Sequence, residues 1–576
     1  MRQIYFSADI IMSDQLVYDL SSTTEGSPTV FVKKDWLSIL DNQNGQYSGN
    51  QSVLDTSQLS NSNRWMSYRE AYLQIPLVMT LTSDAVNVGF APATAATSAD
   101  YACGLKNWFG SCIHSIQCDW NGVTVIQQTN FQGLYNTFRL MTSLSCVDVQ
   151  TQGSSIGFAP DDALAVIFNA AASPSGLGTC FSNNALTFPV VTGAFNSYAT
   201  GNSGMVRRQQ YINYDPAGLT APTCDAWSTL LSASNVAQIY KSHIFSKTND
   251  GAAARGEVQW AINGIVKLRH LHHMFEKMPL LKGVFLKITM QLNNSVVSFT
   301  SAGANGNLSG VSIQVGSGGV SPLQIAPTTA ANGSAGVFLA GAYTLSLAVG
   351  ATVLTTQTAV VGVTSSPMGR SITLNIPSYV FAPAYERAYI SSPIKKIVYE
   401  DIYQYQVLNV AAAGLFNNLI TNGLANITKV LVLPYFTSTA NGGLSPLTSP
   451  FDAAGTGVTS PLCLLSQFQV VVSGQNALYN TQRYSYQQFV EQLSGCNAIN
   501  GDQIDGLTSS LIGQLDFETA YNYYFVNVSR CLEVEASVPK SVSIQGQNMS
   551  GKAIDLIVFL VYAQSISVDV LSGARV

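Results

Sequence analysis

Apolar and polar positions along this chain repeat with a period of two far more often than with a period of 3.6. From Tyr68 onward, Tyr72, Ile75, Leu77, Met79 and Leu81 punctuate a long, partly alternating stretch, which predicts a strand despite Pro76. Further strands are predicted over 115–126, 164–169, 258–268, 284–292, 371–381, 394–410, 429–436, 468–478, 521–528, 533–544 and 554–570. Within the last of these, Leu556–Ala563 is an apolar run bounded by Asp555 and Gln564, too short for a membrane span and suited to a buried strand. Helical spacing is rare. The clearest case is Asp225–Tyr240, with Trp227, Leu230, Leu231, Val236 and Tyr240 behind a Thr223 or Asp225 cap. Residues 1–60 are polar and irregular and read as an arm.

Two segments share one pattern. In Ser115–Met141 a strand meets Asn121-Gly122, a short strand follows, and Thr129-x-x-Gln132 opens a helical run. In Gln467–Leu493 the same order surrounds Gly474, and Ser485-x-x-Gln488 opens Tyr486–Leu493 with Gly495 as its stop. Each reads as strand, glycine turn, strand, capping box, helix. Their separation of about 350 residues indicates a duplicated domain, since solenoid arrays repeat every 20–50 residues.

Composition then narrows the class. Only 10 % of the 576 residues are charged, against about 25 % in a usual soluble domain. A net charge of −5 gives no basic field for nucleic acid, and the pairs Lys395-Lys396 and Arg207-Arg208 are too small for a phosphate-tracking stripe. A surface of Ser, Thr, Asn, Gln and Gly is buried against neighbours at little desolvation cost. The deficit is deepest from Ile288 to Gly369, where 82 consecutive residues carry no Asp, Glu, Lys or Arg. Its core, Val297–Met368, reads as an inserted β element that packs on itself or on neighbours. No apolar core of signal-peptide length stands at the N-terminus. The nine cysteines lack C-x-x-C spacing, which fits buried free thiols in a reducing compartment.

These segments resemble double jelly-roll major capsid proteins. Ser115–Met141 looks like the matching segment of that family, and Gly264–Gln291, with His270–Lys277 and Met278-Pro279-Leu280-Leu281, resembles the end of its first jelly roll. Ile376–Phe381, Glu386-Arg387 and Ile397–Asp401 look like the opening of the second. Many large-DNA-virus members carry an acidic pair before the Glu-Arg. Here Ala382-Pro383-Ala384-Tyr385 stands instead, and Asn61–Thr82 and Tyr479–Leu493 are more similar to the virophage and polinton-like branch. The resemblance covers roughly residues 60–295 and 371–570, through the order of several short motifs. It implies an all-β chain of two tandem eight-stranded antiparallel jelly rolls with short connecting helices and a β-rich insertion. The expected division is an arm (1–60), a first jelly roll (61–295), an insertion displayed outward (296–370) and a second jelly roll (371–576). It also implies a homotrimer forming pseudo-hexameric capsomers in the icosahedral shell of a double-stranded DNA virus. Its partners would be itself, neighbouring capsomers, and penton and minor capsid proteins, with no membrane span and no sequence-specific nucleic-acid binding. The alternative is a secreted or surface β-sandwich that binds carbohydrate, as an adhesin or a glycoside hydrolase.

No catalytic, cofactor-binding or metal-binding residue is assigned. His270 and His273 stand three apart with Glu276 a further three on, a spacing that would suit a metal, but His270, His272 and His273 read as polar contacts in a connection. Gly153-Ser154-Ser155-Ile156-Gly157 matches G-x-S-x-G, yet Pro160 forbids the helix a nucleophile elbow needs after its Ser, so a Gly/Ser turn is expected. Asp516, Glu518, Glu533 and Glu535 are the carboxylates a glycosidase would draw on, with Glu533 and Glu535 on one strand face. Tyr399, Tyr403, Tyr405, Tyr521, Tyr523 and Tyr524 would form a sugar platform in the alternative, and core or interface aromatics in the coat protein.

Overall fold

A computed structural model describes residues 30–83 (apart from 44, 46, 48–49 and 60–62), 103–161, 208, 244–247, 256–301, 308–325 (apart from 317–318), 341–350, 371–440, 443–450, 457–460, 463–479, 482–494, 511–529 and 538–576. The expected strand 164–169, the helix 225–240, and Glu533 and Glu535 lie outside these residues.

The second half of the chain builds eight strands in sequence order: Ile394–Val410, Leu415–Leu424, Ile427–Phe436, Leu465–Val472, Gln475–Asn476, Tyr524–Asn527, Lys540–Asn548 and Ile554–Asp569. Numbered one to eight, they pair antiparallel as 1-8-3-6 in one sheet and 2-7-4-5 in the other. That interleaving of consecutive strands between two packed sheets is a jelly roll. The first half repeats it with Phe31–Leu40, Gln51–Asp55, Tyr72–Ser83, Ile113–Trp120, Val123–Ile126, Gly256–Lys267, Leu286–Leu292 and Thr373–Phe381, again as 1-8-3-6 and 2-7-4-5.

Three expected boundaries are corrected by this pairing. Phe31–Leu40 and Gln51–Asp55 are the first two strands of the first roll, so residues 31–55 are not a separate arm. Thr373–Phe381 closes the first roll by pairing with Phe31–Leu40, with Phe31 opposite Phe381 and Leu40 opposite Thr373, and does not open the second. The insertion is not a unit apart either. Thr373–Asn375 covers only Tyr72–Gln74 of the third strand, and Gly341–Val349 takes the rest, Tyr343 facing Ser83 and Val349 facing Leu77. Ser295–Ser301 and Leu308–Val315 continue the same sheet outward from it. Tyr343, Leu345 and Leu347 are buried by that pairing, which is how an uncharged stretch hides its apolar side.

The duplicated pattern occupies the same place in both rolls, strands four and five followed by a helix, Gln132–Ser143 in one and Tyr486–Ser494 in the other. Asn121 and Gly122 have φ of 47° and 82°, and Ser473 and Gly474 have 47° and 84°, the two left-handed residues that a tight hairpin turn of matching twist requires. The expected capping boxes differ. Ser485 Oγ accepts from Gln488 N at 3.4 Å, but the first helix starts after Phe131 in a left-handed conformation without a side-chain cap. Thr129 instead donates to Ile402 O in the second roll, and Gln132 accepts from Ile116 N and donates to Leu271 O. Tertiary bonds there replace the local cap. Gly153–Ile156 is the last turn of the helix Cys146–Ile156, and Gly157 at φ 70° ends it, so the expected turn is a helix end and forms no elbow.

Strand alternation sorts the connections. Those joining strands 1–2, 3–4, 5–6 and 7–8 leave one end of each sandwich and include 84–112, 127–255, 293–372, 437–464 and 477–523. Those at the opposite end include the two-residue turns 121–122, 425–426 and 473–474. Gly474→Ala is expected to cost about 1–2 kcal/mol through its positive φ alone, since a Cβ there meets nothing within 4 Å. Urea unfolding of the two proteins measures it.

Candidate functional site: the seam between the two sandwiches

The second roll's 1-8-3-6 sheet has an inner face in its own core and an outer face against the first roll. Ile427–Phe436 is buried at eight of its ten positions, and Leu556–Val561 without a break, because neither face meets water. The helix Gln132–Ser143 of the first roll lies on that outer face. Tyr135 reaches Phe559 with ring centroids 5.8 Å apart, and Phe138 sits edge-on to Tyr523 at 5.1 Å and stacked with Phe525 at 5.5 Å. Of the tyrosines considered for a sugar platform, Tyr399, Tyr521, Tyr523 and Tyr524 are buried in this seam or the core beneath it, and Tyr403 is 38 % exposed.

Hydrogen bonds cross the seam along its length. At the short-turn end Trp120 Nε1 and Asn121 Nδ2 each donate to Gly573 O at 2.8 Å, and Lys282 N donates to Val570 O at 2.9 Å. Midway Tyr399 hydroxyl donates to Val125 O at 2.8 Å and Tyr521 hydroxyl to Asp161 O at 2.7 Å. At the long-loop end the buried Lys106 ammonium donates to Ser449 O at 2.7 Å and Ser321 N to Leu447 O at 3.0 Å. The two rolls therefore stand side by side and point the same way.

The seam also gathers charge in a charge-poor chain. Lys429 pairs with Glu400 at 2.5 Å and Arg139 with Glu276 at 3.1 Å. His273 Nδ1 accepts from Glu400 N at 2.9 Å. His272 Nδ1 accepts from Met274 N, and its Nε2 lies 3.4 Å from Asp401 Oδ1, whose other oxygen accepts from Tyr562 hydroxyl. His270 stands edge-on to Trp108 at 6.1 Å, and its Nδ1 has no hydrogen-bond partner. Burial, with Arg139 beside it, pushes the His273 imidazole down to about 3. Burial likewise drives His270 well below its usual value, with Arg269, Lys267 and Arg139 adding to it. Burial opposes the charge on Glu400, yet Lys429 and its other cationic neighbours hold the carboxyl down at about 2.

The remaining candidates are engaged elsewhere. Glu518 pairs with Arg483 at 2.6 Å, and Asp516 accepts from Gly513 N in the first turn of a short helix. Arg208 is buried and bound to Asp161 at 2.6 Å, while Lys395 lies over the Tyr389 ring. Cys112, Cys118 and Cys463 are buried, and burial pushes the Cys112 thiol up to about 12. Cys146 is exposed, unlike the buried thiols expected. Among the described residues no three His, Cys, Asp or Glu side chains gather as a metal site would need, and no helix is long and apolar enough to cross a membrane. The polar contacts across the seam gave only a weak sequence signal, since Glu400, Asp401 and Lys429 sit in strands without a motif.

No family model matches the chain, and no curated protein matches it. Among solved structures it is similar to a chain of the Sputnik virophage, at 9 % identity over 96 % of this chain and 89 % of that one, with a TM-score of 0.47. The mavirus major capsid protein is similar at 10 % identity over 96 % and 92 %, with a TM-score of 0.45. The Faustovirus major capsid protein is similar at 10 % over 97 % and 98 %, with a TM-score of 0.40.

Phe138→Ala is expected to destabilise the chain by about 3–5 kcal/mol, because the ring fills the seam between two rigid bodies. Lys429→Met is expected to cost about 1–2 kcal/mol by removing the cation bonded to Glu400. Denaturant titration at pH 7.5 reads both.

Proposed function

We propose that this chain is a major capsid protein that homotrimerises into pseudo-hexameric capsomers of the icosahedral shell of a double-stranded DNA virus. One observation carries the reading. Two equivalent sandwiches are docked head to tail within the chain, the helix side of the first on the outer sheet face of the second. A head-to-tail contact that repeats by rotation closes into a ring. The equivalent surfaces on the free sides are the outer 1-8-3-6 face of the first roll and the helix side of the second. The first presents Val32, Trp36 and Leu40, at 68, 49 and 63 % exposure, among Lys33, Lys34 and Arg64. The second presents Tyr479 and Leu515, at 77 and 59 %, among Glu491, Asp516 and Glu518. On both faces charges are paired locally, Lys33 and Arg64 with Asp35, Lys34 with Glu70 and Glu518 with Arg483, so each patch is apolar within a polar rim, as an interface between copies requires. Three chains supply six sandwiches to such a ring.

The end carrying the long connections, including the strands of 295–349, would face outward. The end with short turns would face the interior of the virion. Neighbouring capsomers, penton and minor capsid proteins would be the other partners, and the role involves no catalysis. The carbohydrate-binding alternative gains no support from tyrosines whose rings lie buried.

Light scattering of the purified chain is expected to give three times 61.5 kDa. Trp36→Glu is expected to give a monomer that remains folded, because the residue is half exposed in a single chain. A wild-type monomer at tens of micromolar, or a trimer indifferent to Trp36→Glu, would overturn this arrangement.

A further inference from the structure

The seam holds two of the five histidines of the chain, His272 and His273, and from residue 394 onward there is none. Groups that titrate between pH 5 and 7 are therefore placed where the sandwiches meet and kept out of the second sandwich. We propose that acidification drives the two sandwiches apart at this seam while each sandwich stays folded. The device belongs to one chain and does not depend on its assembly into a shell.

The chemistry lies in what the closed seam refuses. His273 accepts the Glu400 N–H through Nδ1, so a proton on that nitrogen would set two donors against each other. The new cation would also face Arg139 of the helix Gln132–Ser143, Lys277 of its own helix and Lys429 of the strand Ile427–Phe436. Glu276 and Glu400, already paired with Arg139 and Lys429, are the only offsetting charges among the described residues there. His270 lies within the first sandwich, against Trp108 with Arg269, Lys267 and Arg139 around it, so separation leaves its surroundings in place. His272 differs, since Asp401, with Tyr562 donating to it and Tyr399 edge-on to the imidazole, faces its Nε2. A proton on its Nδ1 would still displace the Met274 N–H that starts the helix His273–Lys277.

Separation hydrates the His273 ring and returns it to an ordinary value near 6.5. Below that pH the separated state binds a proton that the closed state excludes, so the closed state loses stability as pH falls from about 6.5 toward 3. Glu400 adds to the loss only as pH falls below its ordinary 4.5, so the interval from 6.5 to 5 isolates the histidine. With one proton linked, the ratio of separated to closed chains rises by up to about 10-fold per pH unit, or about 16-fold from pH 6.5 to 5.

Hydrogen exchange of the full chain at pH 7.5, 6 and 5, corrected for the intrinsic rate, tests the proposal. The amides that donate across the seam, Lys282 N, Ser321 N and Glu400 N, are expected to lose protection steeply with acid, while 540–548, on the far sheet of the second sandwich, keeps it. Removing the acid-sensitive ring with His273→Gln, whose amide oxygen still accepts from Glu400 N, is expected to flatten the dependence. Equal protection of the seam at pH 7.5 and 5 would overturn the proposal. So would loss of protection in 540–548 in step with the seam, or a His273→Gln chain that keeps the wild-type pH slope. Should that chain not fold, the wild-type comparison of the seam with 540–548 still decides.

Discussion

The rest of this structure depends on two strands with no wet side. Ile427–Phe436 and Ile554–Asp569 pair with each other, and each must cover one face with the core of its own sandwich and the other with a second body. Within one chain the first sandwich supplies that second body, through Tyr135, Phe138, the Thr129 hydroxyl and the Val125 carbonyl. Large aromatic rings bury much area at small entropic cost, and an uncharged surround keeps the desolvation cost low. The scarcity of charge and the doubled domain are thus two sides of one requirement.

Where the fold was legible from the sequence, burial wrote the signal. Ile394–Val410 and Ile554–Asp569 fall almost where the apolar pattern places them, and the glycine turns at Gly122 and Gly474 mark equivalent hairpins. Phe31–Leu40 was misread because it is an edge strand. Lys33, Lys34 and Asp35 interrupt it, and only Ile39 is buried among its ten residues, so alternation is faint. Thr373–Phe381 was placed in the wrong sandwich for a different reason. It is strongly apolar, but its partner lies more than 300 residues away while Ile394 lies close by, and local pattern carries no record of a distant partner.

The seam was less legible still. His270, His272 and His273 stood out as a cluster, but nothing near them in the chain shows that Glu400, Asp401 and Lys429 meet them. Hydrogen-bond partners brought together by packing leave no spacing to read. Thr129 and Gln132 show the same thing in reverse. Their spacing suits a capping box, yet both side chains reach distant carbonyls and amides in the folded chain.

The pairing of Phe31 with Phe381 also sets a clock. Strand Phe31–Leu40 leaves the ribosome early, but the strand that covers it is synthesised some 340 residues later, as 381 less 40 makes 341. At about 5–20 residues per second that is roughly 20–70 s of translation. Until then an edge bearing Val32, Trp36 and Leu40 is open to any other strand it meets, including the same segment on a neighbouring nascent chain in a polysome. The chain therefore asks more of the chaperones at the tunnel exit than its finished form suggests. A faster supply of Thr373–Phe381, whether by shortening the stretch 326–340 or by quickening its translation, shortens that exposure without touching a contact of the folded protein described here.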